Sequence, residues 1–477
     1  MSFVIPLSRN GSSPLTRQIY SWFRQAILQG AMRSGERLPS TRELAEHLHV
    51  SRTVAVLAYE QLLAEGFIAG RGGSGTYVSE GLATGYRSAQ ASLAKLKLSR
   101  FGHSVEAATS RVNYPNARAS LHFDFAYGQS NVEIFPFEMW RRMLLRHARM
   151  APVRELDYGP AAGSLALREA ITVHLRRSRA VACDASQVIV VSGSQQALDL
   201  IARVLIERGD RVAIENPIYQ GTSEILRTAR ARLLPVPVDR EGLRTASLPE
   251  HARIAFATPS HQFPTGAVLP LARRLELLDW ARRKAAVVVE DDYDGEFRYQ
   301  EQPLESLQGL DTEGRVIYIG TFSRTIFSAL RIGYLIVPKS LVAAFTSAKW
   351  LCDRHTATLE QETLAEFIGS GLYERHLRRV RRRNAGNRDV LLDAIGKYLG
   401  DRVEVTGDGA GAHVVLWPSK RISESVVIEK AAARGVGVYG ISGYFLTRPS
   451  RSGLMLGYSR MKKEEIREGI RRLGGIF

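Results

Sequence analysis

Cysteine is nearly absent: Cys183 and Cys352 are the only two among 477 residues. Two thiols cannot staple a chain of this length, so a disulfide scaffold is excluded. No Cys/His spacing of the zinc-site kind occurs, so no metal is expected. Long apolar runs are also lacking. No stretch reaches the ~20 residues that a membrane-spanning helix needs, and the opening MSFVIPLSRNGSS has no apolar core of signal-peptide length. A cytoplasmic protein with no membrane partner is the expectation. Acidic residues are in deficit: 48 Asp and Glu against 65 Lys and Arg leave a formal net charge of +17. That favours a polyanionic partner, nucleic acid first. The distribution tempers the inference, because residues 1–81 carry eight Arg and six Glu. Much of the surplus lies further on, in a run from Arg375 to Arg383 whose amphipathic helical pattern reads as a solvated face.

What is present points to more than one domain. The length suits two or three, and 45% hydrophobic with 24% charged residues is normal for a globular chain. Residues 14–30 read as a helix with Ile19, Phe23, Ala26 and Ile27 on one face. Ser40 with Glu43 makes a capping box for a second helix, and Ser51 is a cap for a third. FIAGRGGSGTYVS then reads as two short strands around a glycine turn. Residues 82–120 are rich in Ala, Ser, Arg and Lys with little periodicity, and read as a linker with some helix in it. From Leu121 to the end, the apolar runs QVIVVSG, RVAIENP, RIAFATP, AVVVEDD and RVIYIGT alternate with helical segments. That alternation predicts an α/β fold with a mostly parallel sheet and crossover helices. From Gly371, helices with shorter strands suggest a small C-terminal α+β subdomain.

Three helices and a glycine-tipped hairpin within about 70 residues make a winged helix-turn-helix. Leu44, Ala45 and Leu48 give the second helix its apolar stripe, and Val54, Leu57, Leu62 and Leu63 are predicted to anchor the third. Arg52 and Thr53 are left at the end that reads bases and attracts phosphate. The wing offers Arg71 beside Gly72, Gly73 and Gly75. Taken as pattern alone, such a helical unit also suits protein binding. Over residues 12–81, however, GERLPSTRELAEHLHVSRTVAVLAYEQLLAEGFIAGRGGSGTYV resembles the GntR family of regulators almost end to end. The resemblance implies double-stranded operator DNA as partner. It sets Arg42, Arg52 and Arg71 against DNA, with Ser51 and Thr53 beside Arg52.

The remainder carries marks of a pocket. SGSQQALDL (192–200) is a strand–turn–helix whose Ser194, Gln195 and free helix N–H groups suit a phosphate. EDDYDGEF places Asp291 and Tyr293 at the C-terminal end of a strand, where parallel sheets bind ligands. GTFSRTIFSALRIGY (320–334) adds Thr321, Ser323 and Arg331, HQFPTG (261–266) is a tight turn, and Tyr219 is an aromatic that can stack on a flat ring.

In order, LDYGPAAGSLALREAI, SGSQQALDL, HQFPTG, EDDYDGEFRY, YIGTFSRT and LEQETLAEFI resemble the MocR subfamily. There a GntR head is fused to a fold-type I aminotransferase-like domain, here expected over 121–477. The resemblance implies a homodimer and a pocket for pyridoxal phosphate. Asp291 would meet the pyridinium nitrogen and Tyr293 the ring hydroxyl. The phosphate would lie among Ser194, Gln195, Thr321, Ser323 and Arg331. Arg448 or Arg451 would face an effector carboxylate. One position departs. The family reads S-K-T where this chain has Ser323, Arg324 and Thr325. The lysine forms the imine with the cofactor; a protonated guanidinium cannot. Phe263 also stands where aminotransferases have an asparagine. Three readings follow: an effector sensor with pyridoxal phosphate held noncovalently or absent, a sensor of pyridoxal phosphate itself, or a pyridoxal-phosphate-dependent aminotransferase with a DNA-binding appendage. Arg324 opposes the third, since transamination passes its protons through that lysine. For Arg324 itself, a contact to an anionic ligand and a salt bridge to the Asp291 cluster both remain open.

Overall fold

The computed structural model describes residues 4–9, 11–71, 74–81, 97–109, 111–112, 121–152, 157–299, 304–420, 422–449 and 451–477. Gly72 and Gly73 of the wing, most of the 82–120 segment and Leu156 lie outside these. The chain divides into two compact units, Met1–Lys97 and Leu98–Phe477.

The first unit holds α1 (Leu15–Leu28), α2 (Thr41–Leu48), α3 (Arg52–Ala64) and the antiparallel pair β1 (Ile68–Arg71) and β2 (Gly75–Val78). Helix α1 buries Ile19, Phe23, Ala26 and Ile27, as its periodicity predicts. The capping box at α2 forms in both directions: Glu43 N donates to Ser40 Oγ at 3.2 Å, and Ser40 N to Glu43 Oε2 at 2.7 Å. A left-handed His49 (φ 52°) ends α2 and sets the turn into α3. Ser51 has the N-cap backbone geometry, but its side chain makes no capping hydrogen bond. The inward face of α3 also differs from expectation. It is Ala55, Ala58, Tyr59 and Leu62, while Leu57 and Leu63 are 48% and 44% exposed. The 3.6-residue repeat puts 55, 58, 59 and 62 on one stripe, and the two alanines let α3 lie close against α1.

In the second unit the helices are α4 (Arg100–Thr109), α5 (Phe137–Met150), α6 (Leu165–Arg179), α7 (Ser194–Leu205), α8 (Gln220–Thr228), α9 (Leu271–Lys284), α10 (Leu307–Leu310), α11 (Val342–Asp353), α12 (Thr358–Gly369), α13 (Leu372–Tyr398), α14 (Glu424–Ala432) and α15 (Lys463–Leu473). Helix α4, inside the segment read as a linker, packs on α8, and Arg111 just beyond it pairs with Glu224 at 3.0 Å. Strand β3 is Phe123–Asp124. The central sheet follows as β4 (Val188–Val191), β5 (Arg211–Asn216), β6 (Arg232–Asp239), β7 (Gly242–Leu243), β8 (Ile254–Ala257), β9 (Val287–Asp292), β10 (Val316–Thr321) and β11 (Gly333–Ile336).

Its order is β4-β11-β10-β9-β8-β5-β6-β7. Pairings from β10 through β6 are parallel, while β11 runs against both neighbours and β7 against β6. All five apolar runs picked out in the sequence are strands here, and β4, β8 and β10 are buried along their whole length because helices cover both faces. A smaller antiparallel sheet, order β12-β13-β16-β15, follows α13: β12 is Val403–Thr406, β13 His413–Pro418, β15 Tyr439–Gly440 and β16 Leu454–Gly457. Strand β14 (Val436–Gly437) pairs in parallel with β3, so the start of this unit joins its C-terminal layer. No helix among the described residues is long and apolar enough to cross a membrane.

Candidate functional site at the strand ends

Strands β9 and β10 end side by side, and antiparallel β11 brings the C-terminal end of β4 to the same edge. Asp291, Tyr293, Thr321, Ser323, Arg324 and the start of α7 therefore converge from segments far apart in the chain. This is the crevice where open α/β sheets take ligands.

On the β4 side, Gly193 adopts φ +91° and opens α7, whose first N–H groups have no carbonyl one turn back. Arg331, left-handed at φ 52°, reaches across from the β10–β11 turn. Its Nη2 donates to the Ser192 carbonyl at 2.7 Å. Thr321 Oγ1 and Ser323 Oγ are 3.1 Å apart, and Ser323 N donates to Thr321 Oγ1 at 3.2 Å. Tyr219 OH donates to Gln195 Oε1 at 3.3 Å. Hydroxyls, a guanidinium and a helix N-terminus thus face one corner, a donor set suited to phosphate.

On the β9 side, Asp291 Oδ1 is buried without a hydrogen-bond partner. Burial, with Asp292 adding to it, pushes the Asp291 carboxyl up to about 7, while Arg324 pulls it the other way. Tyr293 OH lies 2.9 Å from His261 Nδ1, which is also 2.9 Å from Asp294 Oδ2. His413 donates from Nε2 to the Pro264 carbonyl at 3.0 Å. Burial, then the neighbouring His261, holds that imidazole down at about 3 and hence neutral. Phe263 stands edge-on to Tyr219, Tyr293 and Tyr444, with ring centroids 6.0, 5.8 and 5.1 Å away.

Arg324 is partly buried and projects toward Gly128, where a Cβ would come within 2.7 Å of its Nη1. Its guanidinium lies 5.9 Å from the centre of the Tyr293 ring. Among the described residues it makes no hydrogen bond or ion pair. The alternative of a salt bridge to the Asp291 cluster is not realised. Asp292 accepts from Arg179 at 2.7 Å and Tyr318 at 2.5 Å, Asp294 is engaged by His261, and Asp291 is held toward its neutral form.

Arg451 lies elsewhere. It pairs with Glu404 at 2.9 Å, sits over Trp417 at 4.5 Å and lines a surface groove with Arg240, while Arg448 lines a second groove beside it. In the first unit, Ser51, Arg52 and Thr53 are exposed together at the start of α3. Arg42 is exposed and pairs with Glu46 at 3.2 Å. Arg71 ends β1, paired with Glu80 and 5.1 Å from the Tyr77 ring centre.

The sequence reading missed part of this surrounding. His261 and Asp294 stand inside the quoted motifs HQFPTG and EDDYDGEF, so the signal was available. Nothing local marks His413, Tyr127 or Gly128. Donor atoms of His261, Asp294 and His413 lie within 4.8 Å of one another, a grouping no linear spacing reveals.

Fold and pocket define a two-part protein, a winged helix-turn-helix head and an aminotransferase-like body. Residues 15–78 match the family model "Bacterial regulatory proteins, gntR family", and residues 125–473 match "Aminotransferase class I and II". The chain is 37% identical to the probable rhizopine catabolism regulatory protein MocR of Rhizobium meliloti, over 99% of this chain and 96% of that one. It is 33% identical to the HTH-type transcriptional regulator TauR of Rhodobacter capsulatus, over 98% and 97%. Among solved structures, the α-aminoadipate aminotransferase LysN of Thermus thermophilus, complexed with N-(5′-phosphopyridoxyl)-L-leucine, matches with a TM-score of 0.70. It is 29% identical, over 77% of this chain and 96% of that one. The chain belongs to the MocR-type transcriptional regulators: a DNA-binding GntR head joined to an aminotransferase-like, effector-binding domain.

Proposed function

We propose that the second unit binds pyridoxal 5′-phosphate, or a close phosphorylated pyridine, noncovalently as its signal, without transaminase activity. We also propose that the protein acts as a homodimer whose heads contact operator DNA through Arg42, Ser51, Arg52, Thr53 and Arg71. The observation that carries the ligand reading is Arg324 in the turn after β10, where the family pattern has the imine lysine, with the other pocket groups assembled around it. The orphaned Oδ1 of Asp291 fits a ring N–H donor. Ser194, Gln195, Thr321, Ser323 and Arg331 fit the phosphate, and Tyr293 the ring hydroxyl, with the Tyr219 ring beside them. When bound, this group supplies an electron-withdrawing ring and an aldehyde able to condense with amines. A guanidinium has its lone pairs delocalised, so this side chain offers neither the nucleophile for condensation nor the base for a transamination. The lysines nearest to that turn in sequence pair elsewhere: Lys284 with Glu250, Lys339 with Asp184 at 2.9 Å, and fully buried Lys349 with Asp353 at 2.5 Å. The family resemblance supports the homodimer.

The test is borohydride reduction of the full chain saturated with pyridoxal 5′-phosphate, followed by intact-mass measurement, beside equilibrium dialysis of the unreduced complex. Binding with unchanged mass is expected. A reducible adduct would mean that a lysine reaches the site, and the noncovalent reading would fail.

A further inference from the structure

Among the unmet polar groups of the pocket, two of opposite sense stand out. Asp291 Oδ1 is a buried acceptor without a donor. Arg324 carries five N–H donors and meets no acceptor among the described residues. Of the nearby carboxylates, Asp292 is held by Arg179 and Tyr318 and Asp294 by His261, while Asp291 feels the charge of Arg324 without a hydrogen bond to it. Neutral His413 and the Tyr293 ring contribute no negative charge. The small space before the guanidinium is lined by Tyr127, Gly128, Gln129, His413, Ser459 and one acid, Asp294, which is turned to His261 and makes no ion pair with Arg324. A partly buried guanidinium with no hydrogen-bonded acceptor is costly unless the missing acceptor comes with a ligand.

We infer that Arg324 selects its ligand by charge: the site takes a phosphorylated pyridine that turns an anionic oxygen group, a carboxylate, toward Arg324 and disfavours one bearing an ammonium there. This rests on the phosphorylated-pyridine reading above. A pyridinium and the substituent para to its nitrogen point in opposite directions, so one flat molecule can give a donor to Asp291 and an acceptor to Arg324. A lysine in this place would capture an aldehyde covalently. Arginine exchanges that bond for a charge-assisted, fork-shaped pair suited to carboxylate geometry. Gly128, at φ +85°, leaves the room that the guanidinium occupies.

The experiment is isothermal titration of the full chain with 4-pyridoxate 5′-phosphate, pyridoxal 5′-phosphate and pyridoxamine 5′-phosphate, on the wild type and on Arg324→Gln and Arg324→Lys. Charged hydrogen bonds predict that wild type binds the acid at least about tenfold more tightly than the amine. Arg324→Gln should compress that ratio toward one by weakening the acid, with the phosphate contacts kept. Arg324→Lys should bind the aldehyde most tightly, through an adduct. Equal affinities in wild type, or a preference for the amine while pyridoxal phosphate binds, would overturn the charge selection and leave the ligand reading standing. Failure of all three compounds to bind wild type would overturn the ligand reading itself, and this inference with it. The wild-type ranking decides even if a variant does not fold.

Discussion

Arg331 donates from Nη2 to the carbonyl oxygen of Ser192 at 2.7 Å, across 139 residues of chain. The bond ties the turn that follows β10 to the residue just before the glycine that opens α7. The two segments proposed to hold the phosphate are thereby tied together, and their donors are oriented in the ligand-free chain. Such preorganisation lowers the ordering cost of binding.

On the proposed reading, replacing Arg324 by lysine supplies the amine that the site otherwise lacks. Arg324→Lys, saturated with pyridoxal 5′-phosphate, is expected to show imine absorbance and a reducible adduct by intact mass. No adduct under excess ligand would mean that the pocket serves a different molecule.

Asp291 gives a pH signature. Its carboxyl titrates near 3.8 when unperturbed and is pushed up to about 7 in the folded, ligand-free protein, chiefly by burial. A raised pKa stabilises the fold fully below the unfolded value, and that contribution is lost as pH rises through the folded value. Asp291→Asn removes the cost of ionising there. It should therefore raise stability at pH 8 by about 2 kcal/mol more than at pH 5. Urea unfolding of ligand-free wild type and variant at the two pH values measures this, and an equal gain at both would contradict it.

In the head, Arg52 stands exposed at the opening of α3. Arg52→Ala should weaken binding of the full chain to its operator by about 1–3 kcal/mol, and binding to random DNA by less, if the side chain reads a base. Fluorescence anisotropy on both DNAs separates base reading from a phosphate contact, which would cost the two equally. Footprinting of the same complex should protect two half-sites, as a dimer requires.

Leu62 and Leu57 lie on the same helix with opposite fates. Leu62 is 0% exposed and Leu57 48%. Leu62→Ala should cost about 2–5 kcal/mol, while Leu57→Ala should stay within about 0.5 kcal/mol. The urea midpoint for loss of operator binding reads both, and similar costs would restore Leu57 to the core.

Much of this protein was legible in its sequence because the signals are local. A capping box needs residues three apart, and Ser40 with Glu43 supplies them. Buried strands need short apolar runs, and the five quoted runs became β4, β5, β8, β9 and β10. The arginine in TFSRT is likewise a local signal, since a single motif shows that position 324 carries a guanidinium and not an amine. The third helix was read less well. Its apolar residues run nearly all round, so periodicity did not choose between Leu57 and Ala58; close packing on α1 did. What Arg324 faces was decided only in three dimensions. Gly128, His413 and Ser459 come from distant segments, and Asp292 and Asp294 are drawn to Arg179 and His261 by contacts far apart in sequence. Burial and competition for partners belong to the folded arrangement, and among the described residues they leave Arg324 without a hydrogen-bonded acceptor and Asp291 Oδ1 without a donor.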